Sequence, residues 1–173
     1  MGVGKTAVGR RLAAVLNKRF VDTDLEVERA TGRSIPELFA RYGEPRFREE
    51  EARVVAEVCR GRNQVIATGG GAVLRPENAA VLRSSGVVIW LEAAPEVIYR
   101  RVGKGSGRPL LASGSARERI RELLAAREPY YRALAHFRVD TSGRSVEEVV
   151  AEILARLKTL KGEPASLGEG WGR

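Results

Sequence analysis

Short apolar runs alternate along this chain with longer amphipathic segments, and this alternation constrains the fold more than any other feature. The runs Val65–Ala67 and Val87–Leu91 are each bounded by glycine or polar residues, which is typical of strands buried within a parallel sheet. The segments between such runs carry apolar residues at helical spacing. Because parallel strands need crossover connections, we expect an α/β fold in which helices flank a parallel sheet.

Local signals place the other elements. Two capping boxes, Ser34 with Glu37 and Ser145 with Glu148, each predict the start of a helix. Pro129 is expected to end the helix before it. The remaining predicted elements are a helix over Thr6–Asn17, a strand at Phe20–Val21, a helix over about 45–60, a helix opened by Pro95, a helix over about 116–127, a strand at Phe137–Asp140 and a last helix carrying Val149, Val150, Ile153, Leu154 and Leu157.

The length of 173 residues suits one domain. We expect a single domain over 1–160 and a disordered, glycine-rich tail over 161–173. The single cysteine, Cys59, excludes a disulfide framework, and the single histidine, His136, argues against a histidine metal site. The sequence has neither a membrane-length apolar run nor the apolar core of a signal peptide, so we expect a cytoplasmic monomer with no membrane partner.

The positive charge is concentrated in one part of the chain. The formal net charge is +8, and the nine basic and three acidic residues of segment 99–132 contribute +6 of it. Nucleic-acid binding would favour basic residues interleaved with aromatic ones, and this segment has few aromatic residues before Tyr130. We therefore expect a site for a small polyanion and no nucleic-acid partner.

Gly2-Val3-Gly4-Lys5-Thr6 has the form of the second half of a P-loop and directly precedes a predicted helix. In such a loop the backbone N–H groups surround phosphates, the lysine reaches the β- and γ-phosphates, and the threonine binds Mg²⁺. A short G-K-T sequence also occurs by chance, so a frayed basic start is the alternative.

Asp22-Thr23-Asp24 follows the strand predicted at Phe20–Val21. If the strand continued, the two carboxylates would project from the same side, about 7 Å apart. One could then serve Mg²⁺ and the other the attacking hydroxyl of a phosphoryl acceptor. The alternative is that Asp24 only caps the next helix.

Thr68-Gly69-Gly70-Gly71 follows a predicted strand, and three glycines there allow close approach of a ligand to the backbone. Arg48, Arg108 and Arg127 come from three separate elements, and arginine matches carboxylate and phosphate geometry. Arg108 lies in the Gly/Ser-rich segment 103–115, which we expect to be a mobile lid that closes on a phosphate.

Taken in order, G-x-G-K-T, D-T-D, F-R-E-E-E, T-G-G-G, R-P-L-L and R-E-P-x-Y resemble the shikimate kinase family of P-loop proteins related to nucleoside-monophosphate kinases. The resemblance extends over residues 1 to about 158. It implies transfer of the γ-phosphate of ATP, with Mg²⁺, to the 3-hydroxyl of shikimate. The product would be shikimate 3-phosphate, a precursor of chorismate and the aromatic amino acids.

The resemblance also implies a role for each motif residue, with substrate bound by segment 24–60. At the phosphate end, the implied phosphate-binding residues are Gly2, Val3, Gly4, Lys5, Thr6 and Ala7, and the implied metal-binding residues are Thr6 and Asp22. At the substrate end, Asp24 is the implied base and holds shikimate hydroxyls, the carboxylate is bound by Arg48 and Arg127, the backbone donors are Gly69, Gly70 and Gly71, and the pocket wall is Phe39 and Phe47. At the nucleotide, the implied lid arginine, which is also catalytic, is Arg108, and the adenine is flanked by Arg101 and Arg144.

The sequence departs from the family pattern in two places. Val146 stands near a position where family members often have proline beside the adenine, and the family's first P-loop glycine and central strand would precede Met1. We therefore expect Met1 to correspond to an internal position, with an unpaired gap beside Val65–Ala67. Two alternative functions are a related kinase, such as one for gluconate, which would not need both clamping arginines, and a non-catalytic protein that binds nucleotides or polyanions.

Overall fold

The computed structural model describes residues 2–102 and 116–162, and these form the expected α/β fold. The predicted lid with Arg108, and residues 163–173 of the predicted tail, lie outside the described residues. The elements are α1 (Lys5–Val15), β1 (Arg19–Asp22), α2 (Thr23–Thr31), α3 (Ile35–Val58), β2 (Gln64–Ala67), a 3-10 helix (Ala72–Leu74), α4 (Pro76–Ser85), β3 (Ile89–Glu92), α5 (Pro95–Val102), α6 (Ala116–Leu134), β4 (Phe137–Asp140) and α7 (Val146–Gly162).

The four described strands form two parallel pairs. β1 pairs with β2, with Asp22 opposite Ala67, and β3 pairs with β4, with Glu92 opposite Asp140. Among the described residues no ladder joins β2 to β3, in agreement with the expected gap beside Val65–Ala67. Both strands were expected to be fully buried, and this is wrong for Val65, Ile66 and all of β3, which are partly exposed. A strand edge without a neighbouring strand leaves its backbone and side chains open to solvent.

Helices pack against both strand pairs. α1 and α7 form the largest buried cluster together with Val139 of β4. The predicted apolar face of α7 is confirmed, because Val149, Val150 and Ile153 are buried in this cluster and two more leucines pack against it. α2 packs against α3 in a second cluster around Val27 and Phe47. None of the described helices is long and apolar enough to span a membrane.

The two predicted capping boxes are confirmed. At the start of α3, the Ser34 N–H donates to Glu37 Oε2 at 2.8 Å. At the start of α7, the Ser145 N–H donates to Glu148 Oε2 at 2.7 Å. α3 is bent where Gly43 takes a left-handed φ of 76°. The helix predicted to start near residue 45 is the second half of α3.

The prediction that Pro129 ends its helix is wrong, because α6 continues to Leu134. Proline removes the hydrogen bond to the carbonyl four residues earlier, here that of Ala125, an exposed residue of α6. Beyond the proline, Tyr131 and Leu134 pack into a buried cluster with Val55 and Ala72. These tertiary contacts stabilise the last turns of α6.

Candidate active site

The second glycine of the P-loop segment, Gly4, directly precedes α1. Gly4 is the N-cap residue, with a left-handed φ of 87°, and its carbonyl accepts the Val8 N–H at 2.9 Å. This conformation favours glycine. The first N–H groups of a helix point out of its N-terminus, where they can bind an anion. Lys5 and Thr6 therefore stand in the first turn of a helix whose N-terminus suits phosphate.

The first aspartate of the D-T-D motif links α1 to α2. Asp22 Oδ2 accepts from the Thr6 hydroxyl at 2.9 Å, and Asp22 Oδ1 accepts from the Asp24 N–H at 3.1 Å. The alternative that Asp24 caps the helix is wrong, because Asp22 is the N-cap of α2. The expected strand geometry is also wrong, since β1 ends at Asp22 and Asp24 lies in the first helical turn.

A cavity of about 300 Å³ opens at the carboxyl ends of β1 and β2, the edge where parallel sheets bind ligands. Most of the predicted site residues line this cavity. They are Lys5, Thr6, Asp22, Asp24, Phe39, Phe47, Arg48, Gly69, Gly70, Gly71 and Arg127. Among the described residues, the predicted site residues that do not line it are Gly2, Val3, Gly4, Ala7, Arg101 and Arg144.

An ion pair between the partly buried Arg48 and the buried Glu51 forms one wall of the cavity. Arg48 Nη1 donates to Glu51 Oε2 at 2.7 Å, and Arg48 Nη2 donates to Glu44 at 2.9 Å. Glu51 is only 1 % exposed, and within the described residues its Oε1 has no hydrogen-bond partner. Burial raises the pKa of Glu51, and Arg48 opposes this rise while the charge of Asp24 adds to it. Burial by itself would lower the pKa of Arg48, but Glu51 and Glu44 outweigh it and raise that pKa.

The second predicted clamp arginine, Arg127, comes from α6 and is only 9 % exposed. A buried guanidinium needs an anionic or hydrogen-bonding partner. Arg127 interacts electrostatically with Glu51 and with the hydroxyl of Tyr131. The buried Arg127 and the partly buried Arg48, which come from different helices, thus meet at one cavity.

The glycine loop, residues 68–71, leaves room for the charged groups around it. A Cβ on Gly69 would lie 2.7 Å from both Asp24 Oδ1 and Glu51 Oε1, and a Cβ on Gly71 would lie 2.5 Å from the Arg48 guanidinium. The Gly69 N–H donates to Thr23 Oγ1 at 3.1 Å, so this N–H is already used within the protein. Gly69 is therefore needed because the absence of a Cβ lets the Asp24 and Glu51 carboxylates lie close to its backbone.

Two aromatic rings close another side of the cavity. The centroids of Phe39 and Phe47 are 4.9 Å apart, with the rings tilted by 39°. The Arg48 guanidinium lies 5.0 Å from the Phe47 ring centroid. The rings thus give the cavity an apolar wall beside its charged one.

The two arginines predicted to flank adenine bind protein groups. Arg101 donates to Thr141 O at 2.8 Å, to Thr141 Oγ1 at 3.1 Å and to Gly2 O at 3.3 Å. Arg144 pairs with Glu152 and donates to backbone carbonyls at both ends of the β4–α7 turn. Arg101 therefore ties the P-loop segment to the end of β4, and a role at the adenine stays a prediction.

A second cleft, of about 510 Å³, lies on the outer side of α1 and β1. Asp22 is the only predicted site residue among the described residues that line this cleft, and Arg10, Lys18 and Phe20 also line it. Most of the predicted site residues line the smaller cavity instead.

Several residues of the site were not assigned a role from the sequence. Glu51 lies one helical turn after Arg48 within F-R-E-E-E, and this spacing could have indicated an ion pair. Thr23 and Tyr131 reach the glycine loop only through the tertiary fold, and both stood inside motifs without a stated function. Among the described residues no group of three or more His, Cys, Asp or Glu is placed to hold a metal ion.

Comparison with known proteins identifies the family. The family model "Shikimate kinase" matches residues 1–158. A shikimate kinase of Symbiobacterium thermophilum is 53 % identical over 161 residues, covering 91 % of this chain and 92 % of that protein. One of Pelotomaculum thermopropionicum is 50 % identical over 158 residues, covering 91 % of each.

Solved structures agree as well. The shikimate kinase of Acinetobacter baumannii in complex with shikimate is 37 % identical, with a TM-score of 0.91 over 94 % of this chain and 91 % of that one. The shikimate kinase of Aquifex aeolicus is 34 % identical, with a TM-score of 0.81 over 93 % of this chain and 94 % of that one. With the motifs, the fold and the cavity in agreement, the chain belongs to the shikimate kinase family.

Proposed function

We propose that this protein transfers the γ-phosphate of ATP to the 3-hydroxyl of shikimate, giving shikimate 3-phosphate and ADP. One observation carries the proposal: a single cavity joins a P-loop helix start to two guanidiniums, one buried and one partly buried, and to a carboxylate. The first group suits a phosphate donor, and the second suits an acceptor that has both a carboxylate and a hydroxyl.

The phosphate end of the cavity is formed by α1. Lys5 lines the cavity from the first turn of that helix. Its ammonium group would bind the β- and γ-phosphates, and the N–H groups of the helix start would bind the remaining phosphate oxygens. Both interactions grow stronger as charge spreads over the transferred group.

Two oxygen ligands at this end fit Mg²⁺. The Thr6 hydroxyl and Asp22 Oδ2 are hydrogen-bonded at 2.9 Å beside the phosphate-binding helix start. Hard oxygen ligands, with further positions left to phosphates and water, are what Mg²⁺ prefers. Thr6 would bind the ion directly and Asp22 would hold its coordinated water. The bound ion would neutralise charge on the phosphate oxygens.

The acceptor end fits shikimate. Arg48 and Arg127 would bind its carboxylate, and Glu51 holds the Arg48 guanidinium in place at 2.7 Å. Asp24 would accept the proton of the 3-hydroxyl as the hydroxyl oxygen forms its bond to the γ-phosphorus. The bond from that phosphorus to the β-phosphate oxygen breaks at the same time, and ADP leaves.

The remaining parts of the proposal concern the donor nucleotide and the assembly. Arg108 would close over the phosphates, while Arg101 and Arg144 would flank the adenine. The protein would act as a monomer in the cytoplasm. Each statement about the nucleotide rests on the family resemblance.

The test measures ADP release from Mg-ATP with and without shikimate and identifies the product by mass. Arg48→Lys keeps a cation for Glu51 but loses the planar fork, and Arg127→Lys does the same on α6. Each should raise KM for shikimate about tenfold or more with little effect on KM for ATP. Arg46→Lys is the matched control, because Arg46 lies two residues from Arg48, has a half-exposed side chain and pairs with Glu49 and Glu50 outside the cavity.

Three results would contradict the proposal. Turnover of gluconate in preference to shikimate would favour the related kinase. ATP binding without turnover of any hydroxy acid would favour a non-catalytic binding protein. Equal effects of the Arg46 and Arg48 substitutions would remove Arg48 from the carboxylate site.

A further inference from the structure

Tyr131 is the last residue of the R-E-P-x-Y motif and takes no part in the proposed phosphoryl transfer. It lies on α6 four residues after Arg127, and therefore on the same face of that helix. Its ring packs against the buried cluster around Val55, and its centroid is 5.9 Å from that of Trp90. The ring is thus held by apolar contacts while the hydroxyl reaches the glycine loop.

The hydroxyl of Tyr131 lies between two parts of the proposed carboxylate site. It donates to the carbonyl of Gly70 at 2.6 Å. Arg127 lies one helical turn earlier on the same face of α6, and its charge acts on this hydroxyl. Burial raises the pKa of Tyr131, and the charge of Arg127 opposes this rise. The neutral phenol is the form that donates to the Gly70 carbonyl.

The bond to Gly70 also sets the direction of the next amide. The described chain contains no cis peptide bond, and in a trans peptide the C=O and the following N–H point in opposite directions. Holding the Gly70 carbonyl towards α6 therefore turns the Gly71 N–H away from α6. Gly71 itself lies against the Arg48 guanidinium, because a Cβ there would be 2.5 Å from it.

We propose that Tyr131 is a positioning residue that holds the Gly70–Gly71 peptide beside Arg127 and so aligns the two sides of the carboxylate site. The inference rests on the proposed function and adds a residue to it. Glycines have no side chain to fix their conformation, so this peptide needs an outside partner. Without the hydroxyl, the Gly70 carbonyl would lose this hydrogen-bond donor in a partly buried place.

The test compares Tyr131→Phe with Tyr130→Phe. The neighbouring Tyr130 is 49 % exposed and serves as the matched control. Tyr131→Phe keeps the ring packing and removes only the hydroxyl. We expect KM and calorimetric Kd for shikimate to rise roughly 3- to 30-fold, the effect of losing one partly buried hydrogen bond. The kcat and the Kd for ATP should stay close to those of the wild type, and the melting temperature should fall by only a few degrees.

A neutral analogue separates positioning from general damage. Shikimate methyl ester lacks the charged carboxylate, so its binding should depend little on the alignment of Arg127. Tyr131→Phe should therefore reduce the preference for shikimate over the ester. In a double-mutant cycle, Tyr131→Phe and Arg127→Lys should be non-additive for shikimate affinity, because both act on the same interaction.

Each other outcome overturns the inference. These are an unchanged Kd for shikimate, an equal loss of affinity for shikimate and its ester, additive effects with Arg127→Lys, or a loss of ATP affinity as large as that for shikimate. If the wild type binds shikimate without phosphorylating it, the proposed function fails while the calorimetric comparison still decides the role of Tyr131. If the wild type does not bind shikimate, both fail.

Discussion

Replacing Gly69 with alanine should push apart the two carboxylates that meet above the glycine loop. The new Cβ would lie 2.7 Å from Asp24 Oδ1 and from Glu51 Oε1, well inside the 3.4 Å at which ordinary contact begins. The φ of Gly69 lies outside the left-handed region, so alanine adds no backbone strain. The substitution therefore tests only the space beside the two oxygen atoms.

The structure indicates which carboxylate would yield. Glu51 is 1 % exposed and is held by Arg48 at 2.7 Å, so Asp24 should move by about 0.7 Å to restore normal contact with the new methyl group. A displacement of about 1 Å in a reacting group can lower the rate roughly 100-fold. We expect kcat/KM for shikimate to fall by one to two orders of magnitude. Overpacking of this kind also costs about 1–3 kcal/mol of folding free energy.

Steady-state kinetics with shikimate, calorimetry with ATP and urea unfolding would measure these effects. Gly86→Ala is the control, because a Cβ there meets nothing within 4 Å and its φ of 167° is extended. ATP affinity should be unchanged in both variants. A kcat/KM for Gly69→Ala within about threefold of the wild type would refute the reasoning, since the loop would then move without disturbing Asp24.

Two further predictions concern Asp24 and His136. Asp24→Asn should lower kcat about 10²- to 10⁴-fold while leaving the Kd for ATP unchanged, because the base acts on the acceptor; near-normal kcat in single-turnover assays would exclude Asp24 as the base. His136 Nδ1 accepts the Val88 N–H at 2.9 Å, and its pKa is lowered from 6.5 by burial and by Arg83. The unfolded chain therefore takes up this proton first, so the free energy of unfolding should fall as the pH drops below about 6.5 towards the folded pKa. His136→Gln should make urea unfolding less dependent on pH across that window; an unchanged dependence would assign the effect to other groups.

Local signals predicted the secondary structure where the interactions that form it are local. The capping boxes at Ser34 and Ser145 were predicted and confirmed because both partners lie within one helical turn. The end of α6 was not predicted, because the residues beyond Pro129 are held by contacts with distant elements. The exposure of β3 was not predicted either, since an apolar run indicates a strand and not how many neighbours it has.

The candidate site shows the same difference between local signals, which could be predicted, and contacts between distant elements, which could not. The P-loop, D-T-D and T-G-G-G segments each carry their residue types within a few positions, and the order of these motifs indicated the family. The strand geometry expected for Asp22 and Asp24 was wrong, because the Asp22 side chain caps α2 and starts a helix in place of an extended turn.

The sequence by itself determined the α/β class, the family and most of the residues around the cavity, because periodicity, caps and short motifs are properties of neighbouring residues. Only the tertiary structure decided that Glu51 is buried against Arg48, that Thr23 occupies the Gly69 N–H, and that the Tyr131 hydroxyl reaches Gly70. Two of these contacts, at Gly69 and Gly70, join groups 46 and 61 residues apart in the chain. Contacts at such separations depend on how helices and strands pack, so neither composition nor local spacing indicates them.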